Sequence, residues 1–357
     1  MSTPVVLITG VDPGAMAAAM VSLQFDLRHA VAVRHHIDPE RQVLQRVVSD
    51  VTGIVEQEEI ELAHACVSCA LREDIIPTLD RVAGDGRWAH VVAHLPIGAE
   101  ATQVCDVLAW ETRLAHTLHV ASVVTVLSGR ALVDDLLGDD LLVERGHHSS
   151  HDDHRGVGEV AGAMIEYADV VVIADECGPV AVDLVRTLAR PDAEVVLGCD
   201  QLDAGRLATR LHRHERTHAW SSPMRGGPLP PAASPQVWVR DLRSGAGFHP
   251  QRLLDGLDAL GGGRHRSRGC FWLPTRPGQA LVWDGAGGQL SIGAGQPWRR
   301  ATPMTRIVLV GTGTAPAHLD AAFADLLLRP DESGRGRYWE VSEDGFEPWL
   351  GPVRGAA

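Results

Sequence analysis

The sequence contains no lysine and no asparagine in its 357 residues, so all 32 of its basic residues are arginines. The absence of lysine excludes reactions that need a lysine amine, among them Schiff-base and pyridoxal-phosphate chemistry. It also excludes the ammonium group with which a P-loop binds phosphate. The six cysteines are too few for a disulfide scaffold in a chain of this length, so we expect them to serve as thiols, metal ligands or core residues.

Long apolar runs are also absent, because no stretch reaches the roughly 18 apolar residues that a transmembrane helix needs. The N-terminal stretch MSTPVVLI has no basic segment before its apolar run and is typical of a strand rather than a signal peptide. We therefore expect a cytoplasmic protein with no membrane partner. Its length favours about two domains, and its 45% hydrophobic residues are ordinary for globular proteins.

The formal charge of -14 is unevenly distributed along the chain. Residues 1–234 hold 18 arginines against 34 acidic residues, whereas residues 235–357 hold 14 against 12. The overall acidity argues against nonspecific nucleic-acid binding, and we expect no DNA partner. A group of arginines in the second part is either a phosphate-contacting patch or a solvated face: Arg264, Arg266, Arg268, Arg299, Arg300 and Arg306.

Apolar strands alternate with helical patterns over residues 1–220, which predicts an α/β domain with a mostly parallel sheet and helices on both faces. The Pro- and Gly-rich stretch 221–234 is a predicted linker, and a small α+β domain follows over 235–330 with a tail at 331–357. The predicted strands are Pro4–Thr9, Ala30–Arg34, His90–Leu95, Ser122–Leu127, Val170–Ala174, Glu194–Leu197, Val237–Leu242, Cys270–Leu273, Ala280–Asp284, Gln289–Gly293 and Arg306–Gly311.

Four stretches together carry a family resemblance: ITGVDPGAMAAAM from Ile8, ACVSCALRED from Ala65, HHSSHDDHRGVGEVAGAMIEYADVVVIADEC from His147, and FHPQRLLDGLDAL…SRGCFWLPTRPGQALVWDGAGGQLSIG in the second domain. Their order, spacing and wording resemble the CobW family of P-loop GTPases, which handle metals, chiefly zinc. The resemblance runs from about Val5 to Leu328. It implies a P-loop NTPase-type sheet followed by the family's C-terminal domain.

The phosphate-binding loop of that family corresponds to a degenerate stretch here: Gly10, Val11, Asp12, Pro13, Gly14, Ala15, Met16 and Ala17. Met16 and Ala17 stand where the family has its lysine and threonine, and Pro13 lacks an N–H. The lysine would neutralise the β and γ phosphates and the hydroxyl would hold Mg²⁺. Loss of about three such contacts, roughly 1.5–3 kcal/mol each, would weaken triphosphate binding by about three to six decades.

Two further nucleotide motifs of the family are missing. The base-reading Asn-Lys-x-Asp motif is replaced by Ala174-Asp175-Glu176-Cys177, and the Glu-Thr/Ser-x-Gly segment by His94-Leu95-Pro96-Ile97-Gly98. With three elements lost, we predict a pseudo-GTPase without efficient hydrolysis, in which GTP and Mg²⁺ bind weakly or not at all.

A thiol motif is partly retained, because the family's Gly-Cys-x-Cys-Cys reads Ala-Cys-Val-Ser-Cys here. Cys66 and Cys69, with His64, supply three candidate soft ligands for Zn²⁺, and water, Glu61 or a partner's side chain would complete the tetrahedron. Alternatively, the two cysteines are partly buried structural residues at the start of a helix. A redox pair is disfavoured by the strand and loop context.

A histidine-rich loop precedes the Ile-Glu-x-Ala-Asp strand, as in many members of the family. Its imidazoles suit Zn²⁺ and neighbouring metals, although a solvated polar loop is the alternative: His147, His148, His151 and His154, beside Asp152 and Asp153. His212, His214 and His218 could form a similar cluster or lie on an exposed helix.

Two functions are compatible with these features. The eroded GTPase motifs and the HxCVSC phrase resemble a subgroup of zinc-starvation factors that recruit a hibernation factor to the ribosome. We therefore predict an adaptor of zinc homeostasis whose partners are a hibernation factor and the small ribosomal subunit. The alternative is a zinc-binding metallochaperone that delivers metal to a client protein. We find no nucleophile and base pairing in the sequence that supports another active enzyme.

Overall fold

The computed structural model describes residues 2–64, 66–334 and 336–353. These residues cluster into two compact units, the first within Met1–Leu132 and Asp140–Ser221 and the second within Val133–Asp139 and Ser222–Ala357. Among the described residues, no helix combines the length and the apolar character needed to cross a membrane. The finer division into linker and tail remains a prediction.

The first unit is built on a sheet with the order β4-β3-β2-β5-β1-β6-β7-β8 among the described residues. From β2 to β8, every neighbouring pair is parallel, whereas β3 and β4 are antiparallel to their neighbours. Each strand that the sequence predicts for this unit coincides with an observed one. The strands are β1 (Thr3–Gly10), β2 (Ala30–Asp38), β3 (Val43–Asp50), β4 (Gly53–Glu61), β5 (His90–His94), β6 (Leu118–Leu127), β7 (Val170–Ile173) and β8 (Glu194–Leu197).

Helices cover both faces of this sheet, as the continuous Val, Ile and Leu runs of the strands require. On β1, Val5 and Leu7 belong to one buried cluster, which includes Leu79. The intervening Val6 and Ile8 belong to the opposite cluster with residues of the first helix. The predicted α/β architecture of this unit is therefore confirmed.

The helices of the first unit surround the sheet at positions set by its parallel crossovers. A π-helical turn, Leu71–Ile75, connects the second and third helices. The α-helices are α1 (Pro13–Asp26), α2 (Val67–Ala70), α3 (Ile76–Gly84), α4 (Ala101–Trp110), α5 (Leu132–Leu137), which is shared between the two units, α6 (Val157–Tyr167), α7 (Pro179–Leu188), α8 (Ala204–Thr209) and α9 (His214–Ser221).

The second unit contains a five-stranded antiparallel sheet of order β12-β11-β10-β13-β9, which confirms the predicted α+β domain. Its core is aromatic, with Phe248, Phe271 and Trp283 fully buried beside residues of its helices. The elements are β9 (Val237–Ser244), α10 (Pro250–Gly261), β10 (His265–Phe271), β11 (Gln279–Ala286), β12 (Gln289–Pro297), β13 (Thr305–Thr312), α11 (Leu319–Leu326), α12 (Pro330–Ser333) and α13 (Glu347–Leu350).

The arginine group of the second unit is largely engaged in internal ion pairs. Arg266 and Arg306 are each 2% exposed, and they pair with Asp284 and Asp241. The guanidinium of Arg268 lies 3.5 Å from Asp284 as well. The expected alternatives of a phosphate-contacting patch or a solvated face are therefore both wrong for these three arginines, because their charges are consumed within the unit.

Candidate nucleotide and metal site

The predicted phosphate loop lies between β1 and α1, at the edge of the sheet where the parallel strands end. Asp12 is the N-cap of α1, and its Oδ1 accepts a hydrogen bond from the Ala15 N–H at 2.7 Å. Pro13 occupies the first helical turn and offers no N–H. A helix N-terminus attracts anions through its free N–H groups and dipole. Here the Asp12 carboxylate already fills that role, so an incoming phosphate would meet a like charge.

The side chain at the lysine position of the loop turns away from any phosphate. Met16 is fully buried and packs in the same cluster as Ile8 and Ala19. It lies so close to Gly10 that a Cβ there would be 3.0 Å from the Met16 Cγ and 2.5 Å from the Val126 carbonyl oxygen. The loop backbone therefore approaches its neighbours as closely as in a P-loop. The side chain at the lysine position, Met16, packs in the core.

The segment that replaces the γ-phosphate sensor is also closed to a phosphate. Gly98, at a φ of +73°, donates its N–H to the Gly10 carbonyl at 3.0 Å, and its own carbonyl accepts from Arg155 at 3.2 Å. His94, at the end of β5, is buried and its Nδ1 lies 2.9 Å from the Leu95 carbonyl. Because that carbonyl accepts, Nδ1 carries the proton. Burial, with the nearby charge of Arg34, lowers the pKa of His94 to about 4, so the ring is neutral.

The base-reading position follows β7, as predicted. Asp175 accepts a hydrogen bond from the Ser128 hydroxyl at 3.0 Å, and the Arg130 guanidinium lies 4.0 Å away. Cys177 stands in place of the motif's final aspartate and is half-buried. The described residues at this position thus provide no arrangement of the Asn-Lys-x-Asp type.

A histidine-lined pocket of about 290 Å³ opens at the same edge of the sheet. It borders the degenerate loop at Pro13 and Ala17, and its lining includes the side chains of several histidines: His35, His36, His94, His147 and His148. The pocket thus offers several imidazoles together with the Arg34 guanidinium beside the degenerate loop.

His35 is the most buried of these rings, at 1% exposure. Its Nε2 lies 2.9 Å from Asp74 Oδ1, while Nδ1 is buried with no hydrogen-bond partner among the described residues. Burial, opposed by the hydrogen bond and charge of Asp74, lowers the pKa of His35. Because the Asp74 carboxylate accepts a hydrogen bond from Nε2–H, Nε2 is the protonated nitrogen and Nδ1 carries a free lone pair. The sequence did not indicate this residue.

Two histidines of the predicted loop combine with a residue from another part of the chain. Ligand atoms of Glu40, His148 and His151 all lie within 4.8 Å of one another. Glu40 and His151 are exposed, whereas His148 is half-buried. A carboxylate and two imidazoles suit Zn²⁺, which takes nitrogen and oxygen ligands in tetrahedral sites. Sequence reasoning missed Glu40, because only the fold brings the segment after β2 beside this loop.

The rest of the histidine loop contributes differently. His147 lines the pocket and His154 is exposed outside the group of three donors. Asp153 is buried and structural: its carboxylate accepts from the Ser149 N–H and hydroxyl and pairs with Arg155 through two contacts of 2.8 and 2.9 Å. Although burial alone would raise the pKa of Asp153, the Arg155 pairing lowers it to about 2. These contacts of Asp153 with Arg155 and Ser149, called the clamp below, order the loop before any metal ion binds.

The thiol motif lies at the start of α2. Cys66 is the N-cap, and its Sγ accepts from the Cys69 N–H at 3.4 Å. The hydrogen bond between the two thiols, followed by burial, raises the pKa of Cys69. Among the described residues, which omit Ala65, His64 does not group with these thiols into three donors within 4.8 Å. The two thiols can both ligate one soft metal ion, but His64 as the third ligand stays a prediction.

Comparisons with known proteins agree with this architecture. Residues 37–185 match the family described as CobW/HypB/UreG, nucleotide-binding domain, and residues 239–327 match the cobalamin synthesis protein cobW C-terminal domain. The chain is 27% identical over 389 residues to the zinc chaperone Rv0106 of Mycobacterium tuberculosis, with 98% of this chain and 94% of that protein covered.

Two further proteins are similar to this chain at lower sequence identity. The zinc-regulated GTPase metalloprotein activator 1 of Dictyostelium discoideum is 19% identical over 252 residues, which cover 65% of this chain and 53% of that protein. The Zn(II)-bound YjiA GTPase from E. coli is 15% identical with a TM-score of 0.35, covering 92% of this chain and 100% of that structure. The predicted CobW resemblance is confirmed by the two family matches. Residues 37–185 are therefore similar to the CobW/HypB/UreG nucleotide-binding domain, and residues 239–327 to the CobW C-terminal domain.

Proposed function

We propose that this protein is a zinc metallochaperone that binds Zn²⁺ at Glu40, His148 and His151 and delivers it to a client protein. The proposal rests on one observation: the ligand atoms of these three residues lie within 4.8 Å of one another, near the carboxyl ends of the parallel strands. It is supported by the relative named a zinc chaperone, which spans nearly the whole chain.

The exposure of this site suits transfer rather than permanent storage. Two of its three ligands are exposed, and a tetrahedral ion bound by three side chains keeps one position open. A client's cysteine or histidine can enter that position before the chaperone's ligands leave. The ordered loop reduces the conformational entropy lost on binding.

Cys66 and Cys69 form a second zinc-binding pair in this proposal, with His64 as a further ligand. Thiolates bind Zn²⁺ more tightly than carboxylates do in most sites, so the pair suits capture when zinc is scarce. The degenerate loop, in contrast, plays no part in GTP or Mg²⁺ binding, and we propose that delivery proceeds without hydrolysis.

The site is tested by measuring Zn²⁺ affinity in competition with a chromophoric chelator. We expect H148A and H151A each to weaken one class of binding site about tenfold or more, because each removes a ligand. H116A, which changes an exposed histidine away from the site, serves as the matched control. Unchanged affinity in the H148A/H151A double variant would overturn the proposed loop site.

The ribosome adaptor is our second proposal. The resemblance to zinc-starvation factors and the three lost nucleotide elements favour it, whereas the internal pairing of Arg266, Arg268 and Arg306 removes part of the basic surface expected for RNA. Both proposals place the protein in the cytoplasm. The adaptor function is tested by co-sedimentation of the protein and a hibernation factor with small ribosomal subunits from zinc-depleted cells. Recovery in the supernatant alone would eliminate the adaptor function.

A further inference from the structure

A second cluster of side chains of metal-ligating types lies near the amino ends of the parallel strands in the first unit's sheet. Cys105 comes from α4, His212 from the segment between α8 and α9, and His214 from the first residue of α9. The His212 N–H donates to the Val120 carbonyl near the amino end of β6. His212 is therefore buried, at 8% exposure, and the expectation that it lies on an exposed helix is wrong.

The donor atoms of this cluster lie close to one another. Ligand atoms of Cys105, His212 and His214 all lie within 4.8 Å of one another. The Tyr167 Oη lies 3.3 Å from His212 Nε2 and 2.7 Å from His214 Nδ1. In a tetrahedral zinc site with Zn–N near 2.0–2.1 Å, neighbouring donors are about 3.3 Å apart. The distance between Tyr167 Oη and His212 Nε2 matches that spacing.

The most buried imidazole presents an unprotonated nitrogen toward the cluster. The His212 Nδ1 lies 2.8 Å from Asp169 and donates to that carboxylate, so Nε2 carries a lone pair. The His214 Nε2 lies 3.3 Å from the Asp106 carboxylate, and its Nδ1 faces the Tyr167 hydroxyl at 2.7 Å. The same pairing of carboxylate and histidine orients metal ligands in known zinc sites.

Asp169 is itself held in place. Its carboxylate accepts from the Val123 N–H at 2.9 Å and pairs with Arg190 at 2.7 Å. A carboxylate fixed by these contacts accepts from His212 and thereby determines the tautomer of the most buried histidine.

We propose that Cys105, His212 and His214 form a buried Zn²⁺ site, with the Tyr167 hydroxyl at the fourth corner. A thiolate and two imidazoles select Zn²⁺ over Mg²⁺ and Ca²⁺, which prefer oxygen ligands. Binding transfers the Cys105 thiol proton to solvent.

A graded series of histidines connects the cluster to the surface. The exposed His218 lies one helical turn from His214, with ring centroids 5.8 Å apart. His214 is half-buried, and His212 is buried. An ion entering along α9 thus meets imidazoles of decreasing exposure.

This site is independent of the proposed transfer site. The transfer site lies where the parallel strands β1 and β5 end, whereas the cluster lies beside the amino ends of β6 and β7. Its ligands are largely buried, so it retains its ion rather than exchanging it. The inference therefore goes beyond the proposed function.

The test uses the full-length chain in a background in which H148A, H151A, C66S and C69S remove the other proposed ligands. Metal-free protein is titrated with Co²⁺, whose bonds to thiolate produce a charge-transfer absorption band. We expect one equivalent of Co²⁺ to produce that band and Zn²⁺ to displace it. Adding C105S should abolish the band, whereas adding C270S, at a buried cysteine of the second unit, should leave it intact.

The half-exposed His214 provides a second variant if C105S does not fold, as judged by circular dichroism. H214A should weaken Co²⁺ binding in the same background about tenfold or more. A background protein that binds no Co²⁺, or a band that survives both variants, would overturn the proposal and leave a hydrogen-bond network centred on Tyr167. Because the background lacks the transfer site, this outcome is separate from the fate of the proposed function.

Discussion

At the scale of single residues, the carboxyl ends of the parallel strands, where the degenerate loop lies, carry side chains that oppose phosphate or are of metal-ligating types. Asp12 supplies a negative charge at the helix N-terminus, and Met16 supplies an apolar group to the core. His35 and His94 are neutral imidazoles beside the same pocket. These side chains agree with the proposal that this position accepts a metal ion rather than a triphosphate, although Arg34 also lines the pocket.

Met16 provides a test of this account of the loop. M16K places an ammonium group in a fully buried apolar cluster, and we expect it to lower the free energy of unfolding by about 3 kcal/mol or more. M16L, which conserves volume, should cost less than about 1.5 kcal/mol. Urea unfolding measures both. An M16K protein as stable as M16L would show that this side chain reaches the loop surface instead.

The burial of His94 predicts a dependence of stability on pH. Its pKa is about 4 in the folded protein and 6.5 in the unfolded chain, so only the unfolded state gains this proton between those values. The free energy of unfolding should therefore fall as the pH falls from 6.5 to 4, by roughly 3 kcal/mol from this residue.

Denaturant unfolding at several pH values compares the wild-type protein with H94Q and with the exposed control H116Q. The H94Q profile should be flatter by that amount, while H116Q should follow the wild type. Parallel profiles for H94Q and the wild type would contradict the buried, neutral state of His94.

At the scale of elements, the histidine loop is ordered by residues that are not ligands. Asp153 pairs with Arg155, which in turn donates to the Gly98 carbonyl of the neighbouring loop. Leu142 also donates its N–H to the Arg155 carbonyl at the base of the loop. We therefore expect the zinc binding proposed for His148 and His151 to depend on this clamp.

Removal of the clamp should weaken zinc binding without removing a ligand. We expect D153A to lower the Zn²⁺ affinity of the loop site about tenfold, because the loop must then be ordered on binding. D152A, at the exposed neighbouring aspartate, is the control. The chelator competition assay measures both, and equal affinities would show that the loop needs no clamp.

The elements also show what local pattern can and cannot predict. The parallel strands were predictable because they are buried runs of Val, Ile and Leu between helical patterns. The β3–β4 hairpin was missed, although Val43–Asp50 and Gly53–Glu61 flank a short turn and their apolar residues partly alternate with polar ones. The signal is weak because Gly53–Glu61 is largely exposed and rich in glutamate, so no buried face repeats along it.

At the scale of the whole molecule, the candidate sites arise from tertiary convergence. The histidine loop was predictable from its composition, but Glu40 joins it from a segment about 110 residues away, as the residue numbers show. Cys105 likewise meets His212 and His214 through packing of α4 against α9. Such donor sets need the fold, since spacing along the chain carries no signal for them.

The two edges of the first unit's sheet therefore have different chemistry. The carboxyl ends of the strands carry the degenerate phosphate loop and an exposed donor group, for which we propose metal exchange. The amino ends carry a buried donor group, for which we propose metal retention.

Calorimetric titration of the metal-free full-length chain with Zn²⁺ and, separately, with Mg-GTP tests the central claim most directly. The account predicts saturable Zn²⁺ binding that Mg-GTP leaves unchanged, and no saturable Mg-GTP binding at micromolar concentration. Saturable Mg-GTP binding in that range, or zinc binding that requires the nucleotide, would contradict it.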